Sequence, residues 1–76
     1  MQTAPAADRS LADAIERALR SLPPRLQVVA MLALIEERPY AEIADALDVP
    51  IGTVKSRVFR ATRALRNELT RLGIQR

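Results

Sequence analysis

Cationic side chains crowd the last third of this sequence, in a spacing that suits the binding of a polyanion. Residues 55–76 hold seven basic side chains and one acidic one, a net charge of +6. Residues 1–54 hold five basic and eight acidic side chains, a net charge of −3. Charge concentrated on one segment favours an anionic partner. An ordinary solvated helix with surface arginines is the alternative interpretation.

This cationic segment predicts a helix with two different faces, at about 100° per residue. An apolar stripe should pack on the rest of the domain, and it consists of Val54, Val58, Ala61, Leu65, Leu69 and Leu72. The opposite side carries Gly52, Ser56, Phe59, Arg60 and Arg63, flanked by Lys55 and Arg66. Phe59 is therefore expected to point away from the core, where a DNA major groove would offer it a thymine methyl. Folding of Phe59 back over a neighbouring helix is the alternative.

Small residues open the same helix and suit a nucleic-acid contact. Gly52 and Thr53 let the backbone approach a phosphate at the helix N-terminus, where the helix dipole favours an anion. Thr53 is equally an ordinary helix-start residue. Ser56 can exchange a hydrogen bond with a base edge. The basic residues can divide between guanine edges and phosphates, and periodicity leaves both roles open for Lys55, Arg57, Arg60 and Arg63.

Three further helices must position this segment. Apolar residues at helical spacing predict the first helix, Pro23-Pro24 separates it from the second, and Asp48-Val49-Pro50 forms the turn before the last. Gly73 is the expected C-terminal stop. The predicted helices are 10–21, 24–37, 40–47 and 51–72. The sequence thus predicts an all-α, four-helix domain over 10–76, with a helix-turn-helix and a long C-terminal recognition helix, after a flexible tail or linker remnant over 1–9.

The second helix is apolar at every position from Leu26 to Ile35 except Gln27. A helix that is apolar all round is buried on several sides or covered by something else, and full burial is difficult in a domain of 76 residues. We expect one edge to stay exposed for a protein partner, beside the first helix. The residues predicted for this surface are Leu19, Leu22, Val28, Leu32 and Ile35.

The composition argues against several kinds of site. The chain has no Cys and no His, so it lacks a disulfide, the usual zinc ligands and the usual general base. We expect no metal, no cofactor and no enzymatic activity. No apolar run reaches the ~18 residues of a membrane span, and Met1–Ser10 lacks the apolar core of a signal peptide. We therefore expect a soluble, cytoplasmic protein without membrane insertion.

Three pieces of the sequence resemble region 4 of bacterial extracytoplasmic-function (ECF) sigma factors. They are LPPR before the second helix, YAEIADAL in the third and PIGTVKSRVFRATRALR in the fourth. The helix-turn-helix of response regulators shares EIA and TVK but usually lacks the LPPR lead and the SRxxRAxxxLR continuation. Two positions depart from the family pattern: Asp48 stands where such turns often have Gly, and Pro39 stands where Ser commonly caps the third helix.

The resemblance implies a promoter reader. Region 4 of that family recognises the −35 element in the major groove and docks on the flap of the RNA polymerase beta subunit, and an anti-sigma factor commonly holds such factors inactive. By motif, the implied base-edge contacts are Lys55, Ser56 and Phe59. The implied phosphate or mixed contacts are Gly52, Thr53, Arg57, Arg60 and Arg63.

A complete sigma factor of this group also needs region 2, which melts promoter DNA with aromatic side chains. This chain has one Tyr, one Phe and no Trp, so we expect an isolated C-terminal domain of a longer sigma factor. The alternative is a sigma-mimicking protein-interaction domain that binds an anti-sigma factor without reading DNA. Such a mimic has no need for four cations together on the last helix, which favours the DNA reader.

Overall fold

The computed structural model describes the backbone of residues 5–73 and the side chains of residues 10–73, and every regular element in that range is helical. Four helices follow one another, as the sequence predicts: α1 (Pro5–Arg20), α2 (Pro24–Ala30), α3 (Tyr40–Leu47) and α4 (Ile51–Arg71). A short π-helical segment, Met31–Ile35, continues α2. Among the described residues, no helix is long and apolar enough to cross a membrane.

The helix bounds agree with the prediction for α3 and for the end of α4, and they differ at the start of α1 and at the end of the second helix, which reaches Ile35 and not Glu37. α3 has the predicted bounds, and α4 ends one residue before the predicted 72. Gly73 then takes a φ of 93°, so its role as the C-terminal stop is confirmed. α1 begins at Pro5 and not at Ser10, because proline fits the first turn of a helix and two alanines follow it. The first four residues of the predicted tail lie outside the described range.

The predicted second helix is a composite of α2 and the π-helical segment. The backbone N–H of Glu36 donates to the carbonyl of Met31 at 3.0 Å, a bond that spans five residues. Glu37 then adopts a φ of 55°, and the N–H of Arg38 donates a hydrogen bond to the carbonyl of Leu32 at 3.0 Å, which ends the segment. The wider turn rotates the last apolar side chains away from an α-helical pattern. Apolar periodicity cannot reveal this in a stretch that is apolar at nearly every position.

The core forms where α4 crosses α2 and α3, and α1 packs against α2 and α4. Val29, Ile43 and Val54 are fully buried at its centre. The predicted apolar stripe of α4 does face this core: it is buried at its first three positions and half-buried from Leu65 onward. The outward face of α4 is thereby fixed as well.

Leu22 corrects one part of the sequence analysis. It was expected on a partner-binding surface, but only 5% of it is exposed and it packs in the core with Val29 and Ala30. The chain turns back between α1 and α2 at this point, so the side chain is folded beneath the turn. It therefore offers no surface to a partner.

Arg38 ties the end of the π-helical segment to the start of α3. It donates hydrogen bonds to Glu36 at 2.7 Å and to Glu42 at 3.1 Å, and these bonds raise the pKa of Arg38 above its ordinary value. Pro39 precedes α3 and supplies no side-chain cap, as its substitution for the usual Ser predicts. The described side-chain contacts at this junction are therefore exposed ion pairs, and α3 has no side-chain cap.

The backbone of the turn between α3 and α4 is left-handed at its first residue. Asp48 has a φ of 58° and a ψ of 49°, the left-handed conformation that its side chain tolerates better than most. Asp48→Gly should keep or slightly raise the free energy of unfolding, whereas Asp48→Val should lower it by about 1–2 kcal/mol. Urea unfolding of both variants beside the parent chain measures this difference. Equal stability of the two variants would contradict the left-handed turn.

Candidate nucleic-acid interface

The turn residues 48–50 set the direction in which α4 leaves α3. The N–H of Val49 donates to the carbonyl of Ala44 at 3.0 Å, and the half-buried Val49 side chain packs against the core. Pro50, with a φ of −62° and a ψ of 150°, then starts α4. A three-residue connection anchored at its middle leaves little freedom between the two helices. This is the helix-turn-helix that the sequence predicts.

The first turn of α4 is built to attract an anion. The capping residue is Pro50, which supplies no side-chain acceptor, and the first turn carries no acidic residue. The first N–H groups of a helix have no partner within the helix and carry its positive dipole end. Nothing inside residues 10–73 neutralises this end with a side-chain cap.

Gly52 lies exposed in that first turn, and packing does not explain why it is a glycine. A Cβ built on Gly52 would meet no other atom within 4 Å. A larger side chain would therefore fit the free protein without strain. A partner that approaches the backbone closely would explain the glycine, because a Cβ would then stand between the two surfaces.

Arg25 joins this region from the first turn of α2. It lines one concave surface together with the first turns of α4, whose members are Gly52, Thr53, Ser56, Arg57 and Arg60. Sequence reasoning used Arg25 only as part of the LPPR motif and missed its contribution to the site. No spacing along the chain could place it there, because it is the crossing of α2 and α4 that brings it near Arg57.

The cations of this surface are not neutralised by neighbouring acids. Within residues 10–73, the ion pairs join Arg20 to Glu16, Arg38 to Glu36 and Glu42, and Arg71 to Glu68. Glu68 is the one acidic residue after position 54, and hydrogen bonds from Arg71 lower its pKa. None of these pairs involves the interface cations, namely Arg25, Lys55, Arg57, Arg60, Arg63 and Arg66. Their positive charge is therefore available to a polyanion.

Phe59 points into solvent from the same helix. At 62% exposure it is the most exposed large apolar side chain of the described residues, so it does not fold back over a neighbouring helix. The guanidinium carbon of Arg63 lies 5.8 Å from the centre of its ring. An apolar ring and cationic side chains are the two chemistries that base edges and phosphates require, respectively.

The structure places all eight predicted DNA contacts on the first four turns of α4. Thr53 and Arg57 are half-buried at the edge of the surface, and the other six are exposed: Gly52, Lys55, Ser56, Phe59, Arg60 and Arg63. Their individual roles as base or phosphate contacts stay predictions. Among the described residues, no cluster of acidic side chains, His or Cys could hold a metal ion.

A second, apolar surface lies along α1, α2 and the π-helical segment. Of the residues predicted for it, Val28 and Ile35 are exposed, and Leu19 and Leu32 are half-buried. Further apolar residues that the sequence analysis missed are Leu11, Ile15, Met31 and Leu34. Two adjoining grooves share Gln27 and Met31, one between α1 and α2 and one beside Pro24. One edge of the second helix is thus exposed, as expected.

Comparison with known proteins identifies the family of the segment that contains this site. Residues 12–65 match the family model described as Sigma-70, region 4. The chain is similar to the ECF RNA polymerase sigma factor SigW of Bacillus subtilis (strain 168), with 37% identity over 59 residues, which are 78% of this chain and 32% of that protein. It is also similar to the ECF RNA polymerase sigma-E factor of Escherichia coli (strain K12), with 42% identity over 53 residues, 70% of this chain and 28% of that protein. The chain spans less than a third of the length of these relatives.

Gly52→Ala separates an interface role from a folding role. Alanine is the better helix former and nothing obstructs its methyl group. The free energy of unfolding of the variant should therefore be up to about 1 kcal/mol higher than that of the parent. Its affinity for duplex DNA should fall, because the methyl group holds the backbone away from the phosphates. Thermal unfolding and a DNA titration of the same samples measure the two effects. A stabilised variant with undiminished affinity would exclude close backbone approach at this position.

Proposed function

Because the chain belongs to the sigma-70 region 4 family, in its ECF branch, we propose that this domain recognises the −35 element of promoters and so directs RNA polymerase to them. The observation that carries the proposal is the outward face of α4. Among the described residues, this face combines cations without an acidic partner, a helix N-terminus without a side-chain cap, and an exposed Phe59. That combination has no use in the packing of the domain, and it has the chemistry of a major-groove reader.

In the proposed complex, the first turns of α4 enter the major groove, which is about 12 Å wide and admits one helix. Lys55, Ser56 and Phe59 face the base edges. The N-terminus of α4, with Gly52 and Thr53, receives a backbone phosphate. Phosphate or mixed contacts come from Arg25, Arg57 and Arg60, which share a concave surface with that N-terminus, and from Arg63 further along α4. These contacts set the register of the helix.

A sigma-mimicking domain that binds only an anti-sigma factor is the second candidate, and the unpaired cations of α4 disfavour it. A protein-binding module gains little from a face that concentrates positive charge and offers a helix N-terminus to an anion. DNA carries one phosphate charge per ≈ 1.7 Å of helix axis and would attract this positive face electrostatically. Binding of duplex DNA by this chain would separate the two candidates.

DNA affinity and its salt dependence test the proposal. The chain should bind non-specific duplex in the range of about 10⁻⁴–10⁻⁶ M, and more tightly at low salt. Arg25→Ala and Arg60→Ala should each weaken binding to every duplex and reduce the slope of log K against log salt by about one. Fluorescence anisotropy of a labelled duplex at several salt concentrations measures both quantities.

Arg20→Ala is the matched control for these variants. It removes the same charge, but Arg20 lies on α1 and is already paired with Glu16 at 2.6 Å. It should leave the salt slope unchanged. If Arg25→Ala behaves like Arg20→Ala, then Arg25 contacts no phosphate; if the parent chain binds no duplex at low salt, the promoter-recognition proposal fails.

The apolar surface along α1 and α2 is the proposed docking site for protein partners. The family resemblance implies two of them, the flap of the RNA polymerase beta subunit and an anti-sigma factor. Val28, Met31 and Ile35 are all exposed there, and such a patch on a small domain marks an interaction site. We propose that both partners use this surface, so that an anti-sigma factor silences the domain by excluding polymerase without touching Phe59.

Val28→Asp tests this docking surface. A charge placed in an apolar interface should weaken flap binding by roughly 2 kcal/mol or more, since buried apolar anchors carry most of the energy of such contacts. Its affinity for duplex DNA should change little. Ala46→Asp, at an exposed site on α3, is the matched control for the added charge. Isothermal titration with the isolated flap domain measures the loss, and simultaneous binding of flap and anti-sigma factor would contradict a shared surface.

A further inference from the structure

The contact between Arg63 and Phe59 is the one cation–π pair of the described residues. The two side chains are four residues apart on α4 and therefore lie one turn from each other. The distance of 5.8 Å from guanidinium carbon to ring centre is within the ≈ 6 Å range at which a cation is attracted to an aromatic face. The contact does not belong to the core, since both side chains are exposed.

Phe59 has no packed surroundings that would hold its ring in one orientation. With 62% of the residue exposed, the ring would otherwise be free to change rotamer on the surface of α4. A ring that must contact one methyl group on a base edge loses affinity in proportion to the orientations it must give up on binding. A guanidinium held over the ring face would restrict those orientations before DNA arrives.

We infer that Arg63 is a positioning residue for base recognition: it holds the Phe59 ring in the orientation that contacts a thymine methyl. The inference rests on the proposed function, because it needs α4 in a major groove. It gives Arg63 a part in sequence specificity in addition to the phosphate or mixed contact proposed above. A phosphate contact strengthens binding to every duplex alike, whereas a positioning contact strengthens binding only where the methyl group is present.

Replacement of thymine by uracil isolates that methyl group. A preferred duplex is first selected with the parent chain from a randomised pool, and each thymine in it is then replaced singly by uracil. At one position the parent should bind the thymine duplex roughly fourfold more tightly, the worth of about one buried methyl-sized group. Phe59→Ala should abolish this preference and so identify the position.

Arg63→Gln should reduce the thymine preference at that position to less than about twofold, although it changes no atom of Phe59. Arg66→Gln is the matched control: it removes the same charge from another exposed position of α4, seven residues from Phe59, and Arg66 is not a member of the cation–π pair. It should lower overall affinity and keep the fourfold preference. In a Phe59→Ala background, Arg63→Gln should have no further effect on the thymine-to-uracil ratio.

The free domain offers an independent check of the geometry. Protons on the Arg63 side chain near the ring face should show upfield NMR shifts from the ring current, and Phe59→Leu should remove those shifts. Arg63→Gln with an intact thymine preference, or Arg63 shifts unaffected by Phe59→Leu, would overturn the inference. A parent chain that selects a sequence but ignores every uracil replacement would also overturn it while leaving promoter recognition standing. A parent chain that selects no sequence would instead overturn the proposed function.

Discussion

The packing of one narrow apolar stripe of α4 is the constraint on which the rest of the structure depends. Val54, Val58 and Ala61 are buried against α2 and α3, with Ile43 fully enclosed beside them. Because these positions recur at helical spacing, their burial fixes the rotation of α4 about its axis. Every side chain on the opposite face then projects into solvent. The arrangement of cations and Phe59 on the surface is thus a consequence of how three small residues pack.

The distribution of charge follows the same division. Among the described side chains, Glu16, Glu36 and Glu42 are engaged in local ion pairs, while α4 keeps its interface cations unpaired. Exposed ion pairs such as those of Arg38 add little to stability. They neutralise acidic groups that lie outside α4. The field of the domain is therefore polarised toward the helix that meets the proposed ligand.

A domain of this size cannot cover all of its apolar surface. Its largest fully buried side chains are one isoleucine and two valines, and Val28, Met31, Leu34 and Ile35 remain open to solvent. The π-helical segment is part of this exposed region, since Met31, Leu34 and Ile35 are exposed and none of its five residues is buried. We propose that polymerase or an anti-sigma factor covers this apolar surface, which is exposed in the free chain.

The sequence by itself determined the helices and the outward face of α4. Proline and glycine punctuate the chain, apolar residues recur at helical spacing, and both signals are local, so the bounds of α3 and the exposure of Phe59 could be predicted. The first helix was placed too late, since Pro5 can begin a helix as readily as it can end a tail. The tertiary structure alone decided three matters: Leu22 is buried, Arg25 joins the first turns of α4, and Met31–Ile35 widens into a π-helical turn. The burial of Leu22 and the position of Arg25 depend on which helix crosses which, and the periodicity of a single segment does not contain that information. The π-helical turn lies in a stretch that is apolar at nearly every position, so apolar spacing could not reveal it.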